Sequence, residues 1–404
     1  MSYRPVFALL ALAVGAAVGC TATVYEPQPS APPPGPPAEV EAAPETAPAI
    51  SGDVSFFYDS LAPYGSWITV ANYGTVWTPR VPPWWRPYTE GRWVFTDDGW
   101  TWVSSEPWGW AVFHYGRWFD DPAYGWVWVP GRVWGPAWVA WRSGGGQIGW
   151  APLPPSVRWE AGIGFSGGRI DFEAAISPRH WCFVPERDIT APAIRGYVAP
   201  APRNVTLINV TRNITNYTVI NNRIVNNSIN VARVEEITHQ SVPRYRIVDR
   251  DSPTALHAGA LRGNEVAMVR HVEPLRLAGG AARPPAGQAP VTRPLATSSG
   301  ETVDQLNHRY QLEQRELVRH QAEERVRLQR LRDSDRAQAQ PAGAVRSGQA
   351  AEEKALEAEH RHQMEVLAKR HQLEVNAAKH RAQANAKRKA ATAPRRTDEG
   401  PNPH

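Results

Sequence analysis

The chain has 404 residues, with 38 prolines, 31 glycines, 21% charged residues and a formal net charge of +5. Length alone allows two or three domains, but this much proline and glycine leaves one plausible compact core. The charge is small, and no basic cluster sits on a recognisable nucleic-acid motif, so DNA and RNA are not expected partners.

Residues 1–19 read as a signal peptide. Arg4 supplies a positive start, and the apolar run from Val6 to Gly19 ends at Ala17-Val18-Gly19-Cys20. Small residues before a cysteine suit lipoprotein processing, in which the Cys20 thiol carries the lipid anchor. The run is too short to span a bilayer, which takes about 20 residues. Ala17 departs from the usual Leu, and Thr21 after Cys20 matches outer-membrane sorting in a Gram-negative cell. The expected location is therefore exported and lipid-anchored, on the periplasmic side of the outer membrane. Residues 20–50 are rich in Pro, Ala and Glu, including Pro32-Pro33-Pro34. They read as a disordered tether in polyproline II, with a reach of up to roughly 90 Å.

Residues 51–200 form a Trp-rich segment, and all 18 tryptophans lie between Trp67 and Trp181. Three passages align, starting at Gly65, Gly91 and Gly116, with spacings of 26 and 25 residues. A period this short is one supersecondary unit repeated. Each unit reads as a β-hairpin, with runs of Trp, Val, Thr, Tyr and Phe punctuated by Asp97-Asp98-Gly99 or Asp120-Asp121-Pro122. A fourth hairpin is expected from Trp138–Arg142, a Ser143-Gly144-Gly145-Gly146 turn and Ile148–Trp150. The expected fold is an all-β Trp-rich hairpin-repeat domain, a small barrel or sandwich, followed by disordered linkers and an α-helical, weakly coiled-coil tail.

The string YGSW…YGTVWTPR…WRPYTEGRWVFTDDGWTWVSSEPWGWAVFHYGRW…YGWVWVPGRVWGPAWVAWR…GWAPLPP resembles a Trp/Tyr/Gly/Pro-rich bacterial envelope family. That family is a domain of unknown function, sometimes found with FecR-like segments. The resemblance covers about residues 54–200. It implies an exported bacterial protein and carries over no activity and no catalytic residue.

In a strand such as Gly125–Pro130, Trp126 and Trp128 share one face and Val127 and Val129 the other, so both faces should be covered. Most indoles are then expected in the core. The alternative is an open aromatic platform for envelope glycan, and its candidates are Trp84, Trp85, Trp108 and Trp110. Asp97, Asp98, Asp120 and Asp121 could be imagined as glycosidase carboxylates, but their equivalent positions in two repeats are what hairpin turns require. His114 and His180 lack metal spacing, and the glycine run is not a phosphate loop. Cys182 lies in an apolar string and reads as a buried small hydrophobe. No catalytic residue, metal or cofactor is expected.

Residues 201–250 turn to Asn, Ile, Val and Thr. They read as a β extension with turns at Asn221-Asn222 and Asn226-Asn227; their glycosylation-like triplets are incidental in a bacterial lipoprotein. Residues 251–300 read as linker. Residues 301–391 read as two charged helices, about 301–336 and 350–391, with 11-residue spacing of Leu306, Leu317 and Leu328 and of Leu356, Leu367 and Ala378. That repeat gives about 3.67 residues per turn, close to a straight helix. Six of the twelve histidines lie there, without one-face metal spacing. Residues 392–404 read as a disordered tail. The expectation is a non-catalytic structural or protein-interaction component of the envelope, held by the Cys20 lipid, with a homo-oligomer through the helical tail as one candidate assembly. Glycan binding is the alternative, and a glycoside hydrolase the remote one.

Overall fold

A computed structural model describes residues 56–160, 164–166, 175–251, 261–270, 300–337 and 342–392. The expected signal peptide (1–19), Cys20, the 20–50 tether and all but the first residue of the 392–404 tail lie outside the described residues. A short helix α1 (Phe56–Leu61) leads into four hairpins. They are β1 (Gly65–Val70) with β2 (Gly74–Pro79), β3 (Gly91–Thr96) with β4 (Gly99–Ser104), β5 (Arg117–Asp121) with β6 (Gly125–Val129), and β7 (Val139–Gly144) with β8 (Gln147–Pro152). A one-turn helix α2 (Gly109–Val112) separates the second from the third.

The 25–26-residue period has a structural content. Each hairpin places one indole opposite another: Trp67↔Trp77, Trp93↔Trp102, Trp118↔Trp128 and Trp141↔Trp150. Such cross-strand aromatic pairs are a main unit of sheet stabilisation. The turns follow their chemistry. Gly99 takes φ +76° behind Asp97-Asp98, and Gly145 and Gly146 take φ +55° and +73°. Positive φ at both central residues is what a two-residue hairpin turn needs to match strand twist.

The remaining strands are β9 (Arg158–Glu160), β10 (Gly164–Ser166), β11 (Cys182–Pro185), β12 (Arg212–Asn213), β13 (Tyr217–Ile220), β14 (Arg223–Asn226), β15 (Arg244–Asp249), β16 (Leu261–Arg262) and β17 (Glu265–Met268). Beside the small β9–β10 pair, they complete three larger sheets, ordered β1-β2-β6-β5, β11-β8-β7-β12 and β13-β14-β4-β3-β15-β17-β16. One aromatic core joins all three, with Trp77 and Trp128 from the first, Trp141 and Trp150 from the second, Trp93 and Trp102 from the third. Fourteen of the eighteen tryptophans are buried and the other four half-buried. Many indoles also tie the core to the loops around it. Trp77 donates to Leu61 O at 3.2 Å, Trp128 to Tyr115 O at 2.7 Å, Trp138 to His114 O at 2.9 Å and Trp150 to Tyr88 O at 3.0 Å. Loop carbonyls buried with the rings are thereby satisfied. The opposite faces are covered as the alternation requires: Val127 and Val129 join Ile68 and Val76 in a second small core.

Three expectations need correction. Within 201–250, two stretches are helical: α3 (Asn204–Val210) and α4 (Val231–Thr238). Asn204 is fully buried and donates to Pro178 O and Trp181 O, while the Asn230 side chain caps α4 by accepting from Arg233 N. These side-chain anchors override the β preference of Val, Ile and Thr. The Asn221-Asn222 turn is present, with φ +50° and +61°. Asn226, however, is a buried anchor that donates to Trp100 O. Nor is 251–300 all linker, because β16 and β17 extend the seven-stranded sheet and bury Val266 and Met268.

The tail forms the two charged helices expected from its sequence. Helices α5 (Val303–Ala337) and α6 (Ala342–Thr392) lie antiparallel, with Leu306 packed on Val375 and Ala378 and Arg332 bonded to Glu352. The 11-residue stripe is their buried seam: Leu306, Leu317, Leu328, Leu356, Leu367 and Ala378 are all buried. The pair does not project freely but lies against the Trp-rich sheets. Among the described residues, no helix is long and apolar enough to cross a membrane.

Candidate functional site

The cleft between the Trp-rich sheets and the helical pair gathers the most chemistry. Its floor begins in the loop from Val81 to Thr89 that joins β2 to β3. Pro82 and Pro83 stiffen this loop, and the two indoles that follow diverge. Trp85 turns inward and donates to Glu106 Oε1 at 2.9 Å. Trp84 turns towards α5 and stacks on His320, with ring centroids 4.5 Å apart and planes 12° from parallel.

One lobe is built on Asp120. In β5, Asp121 is the turn residue, and its Oδ1 accepts from Ala123 N and Tyr124 N at 2.7 and 3.1 Å. Asp120, one residue earlier, faces the other way and is buried opposite Trp126. Its Oδ2 receives Arg179 at 2.5 Å, with the imidazoles of His180 and His362 each 3.4 Å away. Burial would raise the Asp120 pKa. The hydrogen bonds from both imidazoles and the Arg179 charge outweigh it and hold the carboxyl well below the usual range. Arg179 also reaches Glu359 of α6 at 3.3 Å, so two carboxylates share one guanidinium.

The other lobe is an open cleft of about 190 Å³ beside Trp84. Arg195 pairs with Glu90, Arg327 donates to Gly196 O at 3.1 Å, and Gln363 donates to Glu359 Oε1 at 3.0 Å. Two buried atoms on the walls of the two lobes have no hydrogen-bond partner among the described residues, Asp120 Oδ1 and His320 Nδ1, whereas Glu359 Oε2 is met by the Arg179 guanidinium. Burial lowers the His320 pKa and so favours the neutral ring.

Further contacts hold the helices in place. Glu352, almost wholly buried, accepts from Arg203 at 3.0 Å, Arg332 at 3.1 Å and Thr206 at 2.8 Å. Arg370 donates to Val81 O at 2.7 Å and Lys369 to Pro122 O at 3.2 Å. The seam with the sheets is polar and ionic, unlike the aromatic core beneath it.

The four candidate platform residues do not make an open row. Trp85, Trp108 and Trp110 are only 6, 5 and 7% exposed. Trp108 packs on Trp77 and Trp85, and Trp110 on Phe56 and Phe57, so their faces are consumed by other rings. Trp84 and Trp85 line the cleft, and only Trp84 is more than marginally exposed. The carboxylate pairs also separate. Asp97 and Asp121 serve turns, whereas Asp98 and Asp120 are buried anchors; Asp98 is held by Arg223 at 2.5 Å and Arg270 at 3.1 Å. The sequence places all four at turns, and Asp98 is both a turn residue and an anchor. The same sequence assigns His362 to a solvated helix and gives no sign of Arg179 or Glu359. Alternation along β5 was the one available signal, since it places Asp120 on the same face as Trp118.

Elsewhere, burial sets the titratable groups. His114 lies in the core with Nδ1 3.0 Å from Gly135 O, and burial pushes its pKa down to about 4. Cys182 is fully buried, as expected, and its thiol is pushed up. Glu106, behind Trp85, is pushed well above the usual carboxylate range by burial. Among the described residues, no group of three or more His, Cys, Asp or Glu is placed to hold a metal ion.

No curated protein and no solved structure matches the chain. The segment from residue 58 to residue 157, narrower than the stretch over which the sequence resemblance runs and containing all eight strands of the four hairpins, matches a family of unknown function, DUF6600.

Proposed function

We propose that the chain is a non-catalytic structural or protein-interaction component of a bacterial envelope, exported and lipid-anchored through Cys20. The observation that supports this most is the fate of the indoles: fourteen are buried, four are half-buried and no row lies open. The aromatic repeat then acts as scaffold, closing in the manner of a small barrel, and contacts are made by what it carries. Chief among these is the helical pair, a weak coiled coil whose apolar seam is satisfied internally. Its outer side exposes Leu312, Val318 and Val326 between charges, and this is the side available to an envelope partner or a second copy. A glycosidase needs one carboxyl kept protonated opposite an ionised one. Asp120 and Glu359 instead share the Arg179 guanidinium, an arrangement that favours an anchoring role over an acid–nucleophile pair.

The test is in-cell cross-linking followed by capture of the mature chain. A stoichiometric envelope protein, or a second copy, is expected, and charge substitutions at Leu312 and Val318 should abolish it. Recovery of the chain as an uncross-linked monomer, or capture insensitive to those substitutions, would overturn the reading. Replacement of Cys20 by Ala should release the chain from membranes; an unchanged membrane fraction would refute the lipid anchor.

A further inference from the structure

We propose that the cleft between the helical pair and the Trp-rich sheets binds a neutral oligosaccharide, with Trp84 forming part of its wall. The occupant is constrained in four ways. Asp120 Oδ1 is a buried acceptor and His320 Nδ1 a buried ring nitrogen, and neither has a hydrogen-bond partner among the described residues. An unpaired buried polar atom is costly, so the favoured ligand brings donors. Charge is balanced: five arginines and five Asp or Glu residues line the two lobes together. That balance selects neither a phosphate nor a cation, and it suits a ligand whose polarity lies in hydroxyl groups.

The walls point the same way. Arg, Glu, Gln and His side chains are planar and polar and can bond adjacent hydroxyls in pairs, while Trp84 adds an aromatic surface for ring C–H groups. The larger lobe, about 190 Å³ with one side open to solvent, has room for part of a sugar chain whose remaining rings stay in water. The larger lobe is lined by loops, short turns and the two helices, so no strand edge there invites an extended peptide. The smaller lobe at Asp120 has room for a single hydroxyl-bearing arm rather than a ring. This site differs from the four-indole platform expected from sequence, since Trp108 and Trp110 take no part in it.

The test uses the mature full chain titrated with an N-acetylglucosamine tetramer, a cellulose tetramer and a sulfated tetrasaccharide. Binding is followed by calorimetry and tryptophan emission. Saturable binding of a neutral sugar is expected. Trp84→Ala and, separately, Glu323→Gln should weaken it about tenfold or more, as loss of a hydrogen bond to a charged group does. Glu323 is exposed on α5, so that variant leaves folding intact. Arg262→Ala, exposed in β16 and outside both lobes, serves as the control and should bind as the parent does. Three results would each overturn the proposal: no saturation by either neutral sugar at millimolar concentration, binding of the sulfated sugar alone, or neutral binding unchanged in both variants. The site does not rest on the interaction-module reading, and a failure here leaves the cross-linking outcome untouched.

Discussion

Replacing Glu352 by Ala tests the docking of the helical pair most directly. This carboxylate is 1% exposed and receives Arg203, Arg332 and Thr206. Breaking a buried ion pair by removing one partner costs about 3–5 kcal/mol, because the other charge is left buried. Here the figure falls, since Arg203 keeps Asp335 and Arg332 keeps Glu353 and Gln349 O. The expected loss is then about 2–3 kcal/mol, or roughly 30- to 150-fold in the docking equilibrium. Hydrogen exchange on the full chain should show faster exchange through α6 while β3, β4, β7 and β8 stay protected, because the aromatic core lies beneath the seam. Unchanged exchange in α6 would refute the docking argument. Equal acceleration in the core strands would show that helices and sheets unfold as one unit.

Trp128→Ala removes a core indole and strands Tyr115 O, and should cost about 3–5 kcal/mol in urea unfolding, whereas Trp128→Phe should cost less. Both variants lack the indole N–H, so equal losses would mean that ring bulk adds nothing to the lost hydrogen bond and would refute the packing argument. Gly99→Ala should destabilise by more than about 1 kcal/mol, because φ is +76° and a Cβ would lie 2.1 Å from Asn226 O; a neutral result would refute the turn geometry. The buried His114 predicts a pH dependence. Its folded pKa of about 4 lies below the ordinary 6.5, so the unfolded chain binds the extra proton and stability falls as pH drops from 6.5 to 4, by about 3 kcal/mol. Equilibrium unfolding across that range should lose this slope in His114→Phe. Asp120 follows at lower pH: its depressed pKa makes its stabilisation complete above about 3.8 and lost as pH falls through the lower folded value. Asp120→Asn should remove that acid-limb loss, and an unchanged limb would count against the ion cluster.

The local architecture was legible in the chain. Four hairpins lie where the glycine and tryptophan spacing placed them, and the Asn221-Asn222 and Gly145-Gly146 turns have the positive φ their residues favour. The 11-residue leucine stripe is the seam of α5 and α6. The misreadings share a cause. Asn204 and Asn230 sit at helices because of partners that no β-propensity scale contains, and β17 follows a Gly263-Asn264 turn inside an apparent linker. Trp108 and Trp110 looked like loop indoles until Trp77, Phe56 and Phe57 covered them.

Periodicity belongs to single elements, because the rise and alternation of strands and helices repeat along the chain itself. From it alone follow the hairpins, their turns, the two helices and the demand that both faces of the Trp strands be covered. The site depends on something else. Asp98 meets Arg223 across 125 positions, and Asp120 meets Arg179 and His180 from one distant part of the chain and His362 from another. Two neighbouring Asp-Asp doublets thereby acquire one turn residue and one buried anchor each. Which indole stays half-open is decided in the same way, by the helix that lands beside Trp84 and carries His320 onto its face. Such pairings depend on how sheets and helices close on one another, and spacing along one strand carries no record of that closure.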